Sequence, residues 1–267
     1  MPKTEAAIRK LTDDEAGRLI RLYEKGEARI ESQINKALLR GSDPAYLETV
    51  KANITTARQE LLAGSRSWCE TAVPRLYSAG VSFADDQSFS AKLVGGFNTI
   101  HQHAAQVLAE SAYSRFRDVD GVVGRTIDDL FRSLQLEYSR ASVLGAESTK
   151  AAAKAMREEL SRRGITGFFD KRGRQWTLKN YTEMAIHQVS MDSFRQGTIN
   201  RLQEHNYDLV VVSSHGGSCE KCVPYEGKTF SLSGTSKDYP PLSDARAGGL
   251  FHVRCRHIIN LSPEEKK

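Results

Sequence analysis

The sequence lacks a long apolar run, and this absence excludes a whole class of protein. No segment approaches the roughly 18–20 consecutive apolar residues that a transmembrane helix needs. The chain opens Met1-Pro2-Lys3-Thr4-Glu5, so an acidic residue precedes any apolar stretch and the N-terminus does not predict a secretory signal peptide. We therefore expect a protein made in the cytoplasm, with no membrane partner.

A strong charge imbalance is also missing. The formal net charge is +5 over 267 residues, which is too small by itself to predict a nucleic-acid-binding protein. The densest basic stretch runs from Lys150 to Arg174, and part of it has the pattern of a solvated helix face. This stretch is a candidate for contact with DNA, but the charge pattern does not require that role.

The common catalytic motifs are absent as well. There is no HExxH pair, no GxSxG elbow and no phosphate-binding loop. A zinc deaminase needs a glutamate two residues after its histidine and a proline before the first cysteine of its Cys-x-x-Cys motif. In this sequence Gly217 stands in place of that glutamate and Ser218 in place of that proline, so the deaminase pattern is not met. We therefore expect a protein that is not an enzyme.

The first 160 or so residues have the apolar spacing of successive helices. The run Thr12-Asp13-Asp14-Glu15 fits a capping box at a helix start. Pro74 predicts a kink or an end in the helix that contains it. Further helices are predicted over about 98–117 and 125–156. Two apolar stripes at helical spacing are Leu19, Tyr23, Ile30, Ile34 and Leu38, then Leu47, Val50, Ile54, Ala57 and Leu61.

The character of the sequence changes near Arg163-Gly164. Residues 168–177 predict a hairpin, about 179–204 a helix, and Leu209–Val212 a short buried strand. The fold class predicted is a mainly α N-terminal region, residues 1–163, followed by a small α+β domain, residues 164–267, with a metal-stapled loop.

Cysteine is scarce, and its placement is informative. Of the four cysteines, Cys219, Cys222 and Cys255 lie in the C-terminal fifth of the chain. Cys219 and Cys222 form one close pair, and His252 with Cys255 forms a second after a 29-residue loop, 223–251. Two close pairs of N and S ligands are typical of a closed tetrahedral zinc site. Because the loop is rich in glycine and proline, a structural zinc ion would replace the apolar core that it lacks.

The fourth ligand is less certain than the three cysteines. His252 has the better spacing, while His257 and His215 are alternatives that otherwise act as supporting groups. Two interpretations need no bound metal. In one, Cys219, Cys222 and Cys255 are reduced, buried thiols; in the other, the Cys-x-x-Cys motif is redox-active. A zinc-dependent nuclease or toxin-like effector that uses His215 or His257 as its base is the alternative function.

Five segments carry a family resemblance: 173–184, 207–215, 219–234, 239–245 and 249–257. They include the runs Cys-x-x-Cys-x-Pro-Tyr-x-Gly-Lys-x-Phe-Ser-Leu-Ser-Gly and Leu-Phe-His-x-x-Cys-Arg-His. Over about residues 160–262 the chain resembles the phage minor capsid protein 2 family, which is related to Mu F-like head morphogenesis proteins. The helical first part resembles the family only in general character, as a variable helical arm.

The sequence departs from the family pattern at two places. His187-Gln188 stands where an Arg-Thr pair is expected, and Val253-Arg254 stands where Pro-Asn is expected. Neither change removes a predicted metal ligand.

The resemblance implies a structural role in phage head assembly rather than catalysis. Such proteins are minor components of the head and associate with the portal. The expected partners are therefore the portal or the major capsid protein, with packaged DNA and a second copy of the chain as further candidates. The expected location is the capsid interior, after assembly in the host cytoplasm. Residues 1–163 then serve either as an arm for partner contacts or as a free-standing helical bundle.

Overall fold

The computed structural model describes residues 4–40, 44–87, 97–144, 167–169, 173–215, 217 and 219–266, with single positions at 151, 154 and 158. Its helices are α1 (Glu5–Arg40), α2 (Pro44–Gln87), α3 (Thr99–Leu144), α4 (Leu178–Glu204) and α5 (Leu242–Ala247). Its strands are β1 (Phe168–Phe169), β2 (Gln175–Trp176), β3 (Leu209–Val212), β4 (Thr229–Ser231) and β5 (Ile259–Leu261). The predicted class, long helices followed by a small region with a few strands, is confirmed. None of the helices in the described ranges is long and apolar enough to span a bilayer.

Helix α1 begins earlier than the sequence motif predicts. Thr4 accepts a hydrogen bond at Oγ1 from the backbone N–H of Ala7, at 3.2 Å, and so caps the helix. Thr12 lies inside the helix, where its hydroxyl donates to the carbonyl of Ile8 at 3.1 Å. The predicted capping box at Thr12 is therefore wrong. The helix extends back to Glu5 because Ile8, one turn before Thr12, is fully buried.

Helix α3 is continuous where two helices were predicted. Gly121 and Gly124 lie inside it and do not break it. A Cβ at Gly124 would collide with the guanidinium of Arg58, which donates from Nε to Asp120 Oδ1 at 2.8 Å. Glycine here makes room for a partly buried ion pair rather than ending the helix. Residues 145–150 of the predicted second helix lie outside the described ranges.

Chain contacts divide the protein into two compact units, and each contains more than one stretch of sequence. One unit consists of Met1–Gly17, Trp68–Ala112 and Met184–Lys267. The other consists of Arg18–Ser67 and Tyr113–Glu183. The predicted domain boundary at Arg163-Gly164 lies outside the described residues, so the division into 1–163 and 164–267 stays a prediction.

The second unit is a bundle of parts of α1, α2 and α3. Every residue of the two predicted apolar stripes is buried, which confirms the helical spacing read from the sequence. The α3 side of the core is supplied by Phe116, Val119, Val123, Ile127, Phe131 and Leu134. The predicted hairpin is confirmed as the antiparallel β1–β2 pair, in which Phe168 faces Trp176.

The first unit contains a three-stranded antiparallel sheet in the order β4–β3–β5. Val210 of β3 pairs with Phe230 of β4 and with Leu261 of β5. Val210 and Val212 are fully buried in a cluster that also contains Leu202 of α4. The strand order matters for the site: the chain leaves β3 towards Cys219 and enters β5 just after Cys255, so the central strand and its neighbour bring the two cysteine segments together.

Glu204, at the exposed end of α4, is the acceptor of a partly buried polar network. His101 Nε2 contacts its Oε2 at 2.9 Å, Arg201 Nη1 donates to it at 2.7 Å, and Asn98 Nδ2 donates to its Oε1 at 2.7 Å. Burial by itself would raise the pKa of Glu204, but these hydrogen bonds and the Arg201 charge lower the pKa from 4.5 to about 2.

This lowered pKa predicts acid sensitivity. Because the carboxylate is favoured in the folded state, its contribution of about 1–2 kcal/mol, allowing for solvent screening, is present above pH 4.5 and is lost as the pH falls towards 2. Urea unfolding of Glu204→Gln should therefore show a loss of stability at pH 7 that shrinks at pH 3. The control is Glu48→Gln, an exposed position on α2. Equal pH dependence in both variants would contradict this role.

Candidate metal centre

The first cysteine pair lies on a tight backbone turn after β3. The N–H of Cys222 donates to the carbonyl of Cys219 at 2.9 Å, and the N–H of Val223 donates to the same carbonyl at 3.1 Å. A short 3-10 helix, Val223–Tyr225, follows. The turn places both sulfurs on one side of the backbone, with Cys219 exposed and Cys222 buried. We call residues 219–222 the first knuckle.

The second knuckle, residues 252–255, is built the same way. The N–H of Cys255 donates to the carbonyl of His252 at 2.9 Å. His252 Nδ1 lies 2.7 Å from the carbonyl oxygen of Val253, so Nδ1 carries the proton and donates to that oxygen. This hydrogen bond leaves the Nε2 lone pair of His252 as the ligand atom. That nitrogen lies 2.9 Å from Cys219 Sγ, on the first knuckle.

The four predicted ligands fall into two overlapping groups. Cys219, Cys222 and His252 form one group, whose ligand atoms all lie within 4.8 Å of one another. Cys255 lies in a second group with Cys222 and His257, and its sulfur is 3.7 Å from that of Cys222. Cys222 is common to both. The protein therefore brings the three predicted cysteines and two histidines together at a place that could hold a metal ion.

The thiols differ in their electrostatic surroundings. Burial, followed by the neighbouring Cys255, raises the pKa of Cys222 to about 12. A thiolate therefore forms at Cys222 only with a cation close by. At Cys219 burial would raise the pKa, but the backbone N–H groups of Cys222 and Lys221 outweigh it and lower the pKa. The donor set fits a metal ion, because a cation would stabilise the buried thiolates that the apolar surroundings otherwise disfavour.

His257 and His215 form a third group, with Glu226. His257 is buried, its Nε2 lies 2.7 Å from Glu226 Oε1, and its Nδ1 lies 3.3 Å from Cys255 Sγ. Glu226 Oε1 also accepts the backbone N–H of His215 at 3.1 Å. The imidazole rings of His215 and His257 pack against each other at a tilt of 33°, with centroids 4.2 Å apart. Burial, followed by the neighbouring His257, lowers the pKa of His215. The group ties the end of β3 to Cys255.

Two side chains of α4 hold the second knuckle, and the sequence singles out only Gln188, as a departure from the family pattern. Arg195 donates to the backbone carbonyls of Cys255 and His257, and Gln188 Nε2 lies 3.4 Å from the carbonyl of Phe251. No sequence motif marks Arg195. Arg195 could have been found from its burial, because a fully buried arginine needs hydrogen-bond partners, but burial is known only from the structure.

One of three comparisons with known proteins finds a match. A model of the family described as phage minor capsid protein 2 matches residues 69–261, which is more than half of the chain. The chain belongs to the phage minor capsid protein 2 family. No curated protein and no solved structure matches it significantly.

The range matched by the minor capsid family includes both knuckles and their supporting groups. It begins at Cys69 in α2 and ends at Leu261 in β5. The family resemblance seen in the sequence is thus confirmed. A role as a phage capsid or head protein, and a place in the virion, follow from membership at this coarse level.

Proposed function

We propose that this minor capsid protein works as a structural assembly component near the portal, inside the phage head. Its C-terminal region would be a rigid docking module stapled by one zinc ion. The family match supports the head-protein role, and the cluster of thiols and imidazoles on two facing knuckles carries the proposal of a staple.

The residues that would hold the ion are Cys219, Cys222, His252 and Cys255. Three thiolates and one imidazole form a donor set that suits zinc better than it suits magnesium or calcium. Four protein ligands would close the coordination sphere. Bound there, zinc would supply a cross-link between segments on either side of the 223–251 loop. That loop contains only short elements, so such a cross-link would stabilise it.

A structural role is favoured over a nuclease that uses His257 as its base by the surroundings of that histidine. Both ring nitrogens of His257 face partners inside the fold, Glu226 and Cys255. A general base has to reach a substrate proton, and a buried imidazole held at both nitrogens does not. A plasmid-nicking assay with the purified protein and His257→Ala separates the two functions: metal-dependent cleavage that is lost in the variant would sink the structural proposal.

The fourth ligand can be assigned by substitution. We expect His252→Ala to lose zinc, since Nε2 of His252 faces Cys219, whereas His257→Ala should retain about one ion per chain with an affinity lowered about 10–100-fold, as for other supporting groups. Elemental analysis after gel filtration measures the ion content. The reverse ranking, with zinc lost only from His257→Ala, would assign Nδ1 of His257 as the ligand.

The proposed partners are the portal and the major capsid protein. Three helices of 36, 44 and 46 residues provide long surfaces for such contacts. Most of the basic stretch from Lys150 to Arg174 lies outside the described residues, and contact with packaged DNA or with a second copy stays a prediction. The test is copurification: the protein should remain with heads assembled in the absence of DNA, and its absence from purified heads would refute the proposal.

A further inference from the structure

Arg195 of α4 is almost completely buried, and two of its hydrogen bonds go to backbone carbonyls at and just after the second knuckle. Its Nε donates to the carbonyl of His257 at 2.8 Å, and its Nη2 donates to the carbonyl of Cys255 at 2.6 Å. Its Nη1 donates to Asp192 at 3.0 Å. Because the guanidinium is planar and rigid, two donors on adjacent nitrogens fix the spacing of the two carbonyls that they reach.

The backbone that Arg195 holds is strained. Phe251 and Arg254, which flank His252 and Val253, have φ values of 60° and 64°. Non-glycine residues in this left-handed region cost roughly 1 kcal/mol or more each and persist only where surrounding contacts enforce them. Besides its own turn hydrogen bonds, this segment receives two bonds from Arg195 and a longer one from Gln188, all to main-chain oxygens.

The charge of Arg195 is also placed where it opposes the charge of the site. Three thiolates around a divalent ion leave one net negative charge. The Arg195 guanidinium donates to the backbone carbonyl of Cys255, one of the proposed ligands. The centroid of the Phe251 ring lies 4.5 Å from Cζ of Arg195 and covers the guanidinium. A buried cation that is shielded from water interacts more strongly with this negative charge than an exposed lysine would.

We propose that Arg195 is the positioning residue of the metal centre, and that its guanidinium holds the second knuckle in the conformation that aims His252 and Cys255 at the ion. This inference rests on the proposed metal site. Arg195 does not touch the ion; it acts through the backbone of residues 251–257. It would therefore set the affinity of the site by arranging the ligands before the metal arrives.

The same helix provides a matched control. Arg201 is likewise fully buried on α4, but its ion pairs join it to the side chains of Asp85 and Glu204, which lie outside both knuckles. Arg195→Lys and Arg201→Lys both keep the charge and both lose the planar fork. Both should lower stability, but only the first should change the metal site.

The measurement is competition for Zn²⁺ between the full-length protein and a chromophoric chelator, with the absorption bands of the Co²⁺-loaded protein as a readout of ligand geometry. We expect Arg195→Lys to bind Zn²⁺ about 10–100-fold more weakly and to shift the Co²⁺ bands. Arg201→Lys should stay within about threefold of the unmodified protein, with its bands unchanged, because a positioning effect needs contact with the knuckle. Equal affinities in the two variants, or an equal loss in both, would overturn the role of Arg195.

If Arg195→Lys does not fold, Asp192→Asn replaces it. Asp192 is nearly half exposed and holds Nη1 of Arg195 from the solvent side, so its substitution loosens the guanidinium without emptying the core. We expect a smaller loss of Zn²⁺ affinity in the same direction, and an unchanged affinity would refute the proposal. If the unmodified protein binds no Zn²⁺ at all, the metal site itself is refuted, which is a distinct result.

Discussion

Replacement of Cys222 by serine is expected to abolish metal binding. Cys222 belongs to both groups of ligand atoms, and its sulfur is buried between the two knuckles. Supporting groups of metal ligands typically contribute about 10–100-fold to affinity, so a shared ligand should contribute well over 100-fold. Zinc measured by elemental analysis should fall from about one ion per chain to near zero.

Cys69→Ser is the matched control for this prediction. Cys69 is also buried and reduced, but it lies on α2 and belongs to none of the three groups of ligand atoms found in the described residues. The variant should keep its zinc even if its stability drops. Zinc content well below one ion in the unmodified protein, or unchanged in Cys222→Ser, would refute the metal site.

Removal of the metal should act locally. Hydrogen exchange after chelation should show lost protection at the knuckles and in β3 and β5, because the 223–251 loop depends on the cross-link. The backbone amides of α1 and α2 within residues 18–67 should keep their protection, because the buried apolar stripes hold these helices together without the metal. Equal loss of protection in both places would contradict a local staple.

Gly197→Ala is expected to cause a large loss of stability, about 3 kcal/mol. A Cβ at Gly197 would overlap the carbonyl oxygen of Tyr77, and one at Gly80 would overlap that of Phe194. The close approach also allows Thr198 Oγ1 to donate to the carbonyl of Gly80 at 3.2 Å. Backbone atoms cannot rotate away as side chains do, so α2 and α4 would have to separate.

Gly121→Ala gives the comparison. Gly121 also lies inside a helix, but its nearest neighbour to an added Cβ is Arg125 Nη1 at 3.6 Å, an ordinary contact. Here alanine should stabilise the protein by up to about 1 kcal/mol through its helix propensity. Urea unfolding followed by circular dichroism measures both. If both substitutions shift the midpoint in the same direction, the close crossing of α2 and α4 is not a constraint.

Local signals predicted a large part of the fold. The stripes of α1 and α2, the β1–β2 hairpin and the β3 strand were all readable, since each depends on a spacing of apolar residues within a short window. The errors share a cause. Thr12 and Gly124 carry local signals for a helix start and a helix break. The burial of Ile8 overrode the first, and the partly buried Arg58–Asp120 ion pair overrode the second.

The same distinction applies to the metal centre. The sequence predicted the candidate ligands, because paired cysteines and histidines at short spacing are recognisable without coordinates, and it identified the family. Only the tertiary structure decided which groups support the ligands. Arg195 precedes Cys255 by 60 residues along the chain, and Glu226 precedes it by 29. Their roles arise from β3, β5 and α4 packing together, and a contact set by packing leaves no spacing in the sequence to read.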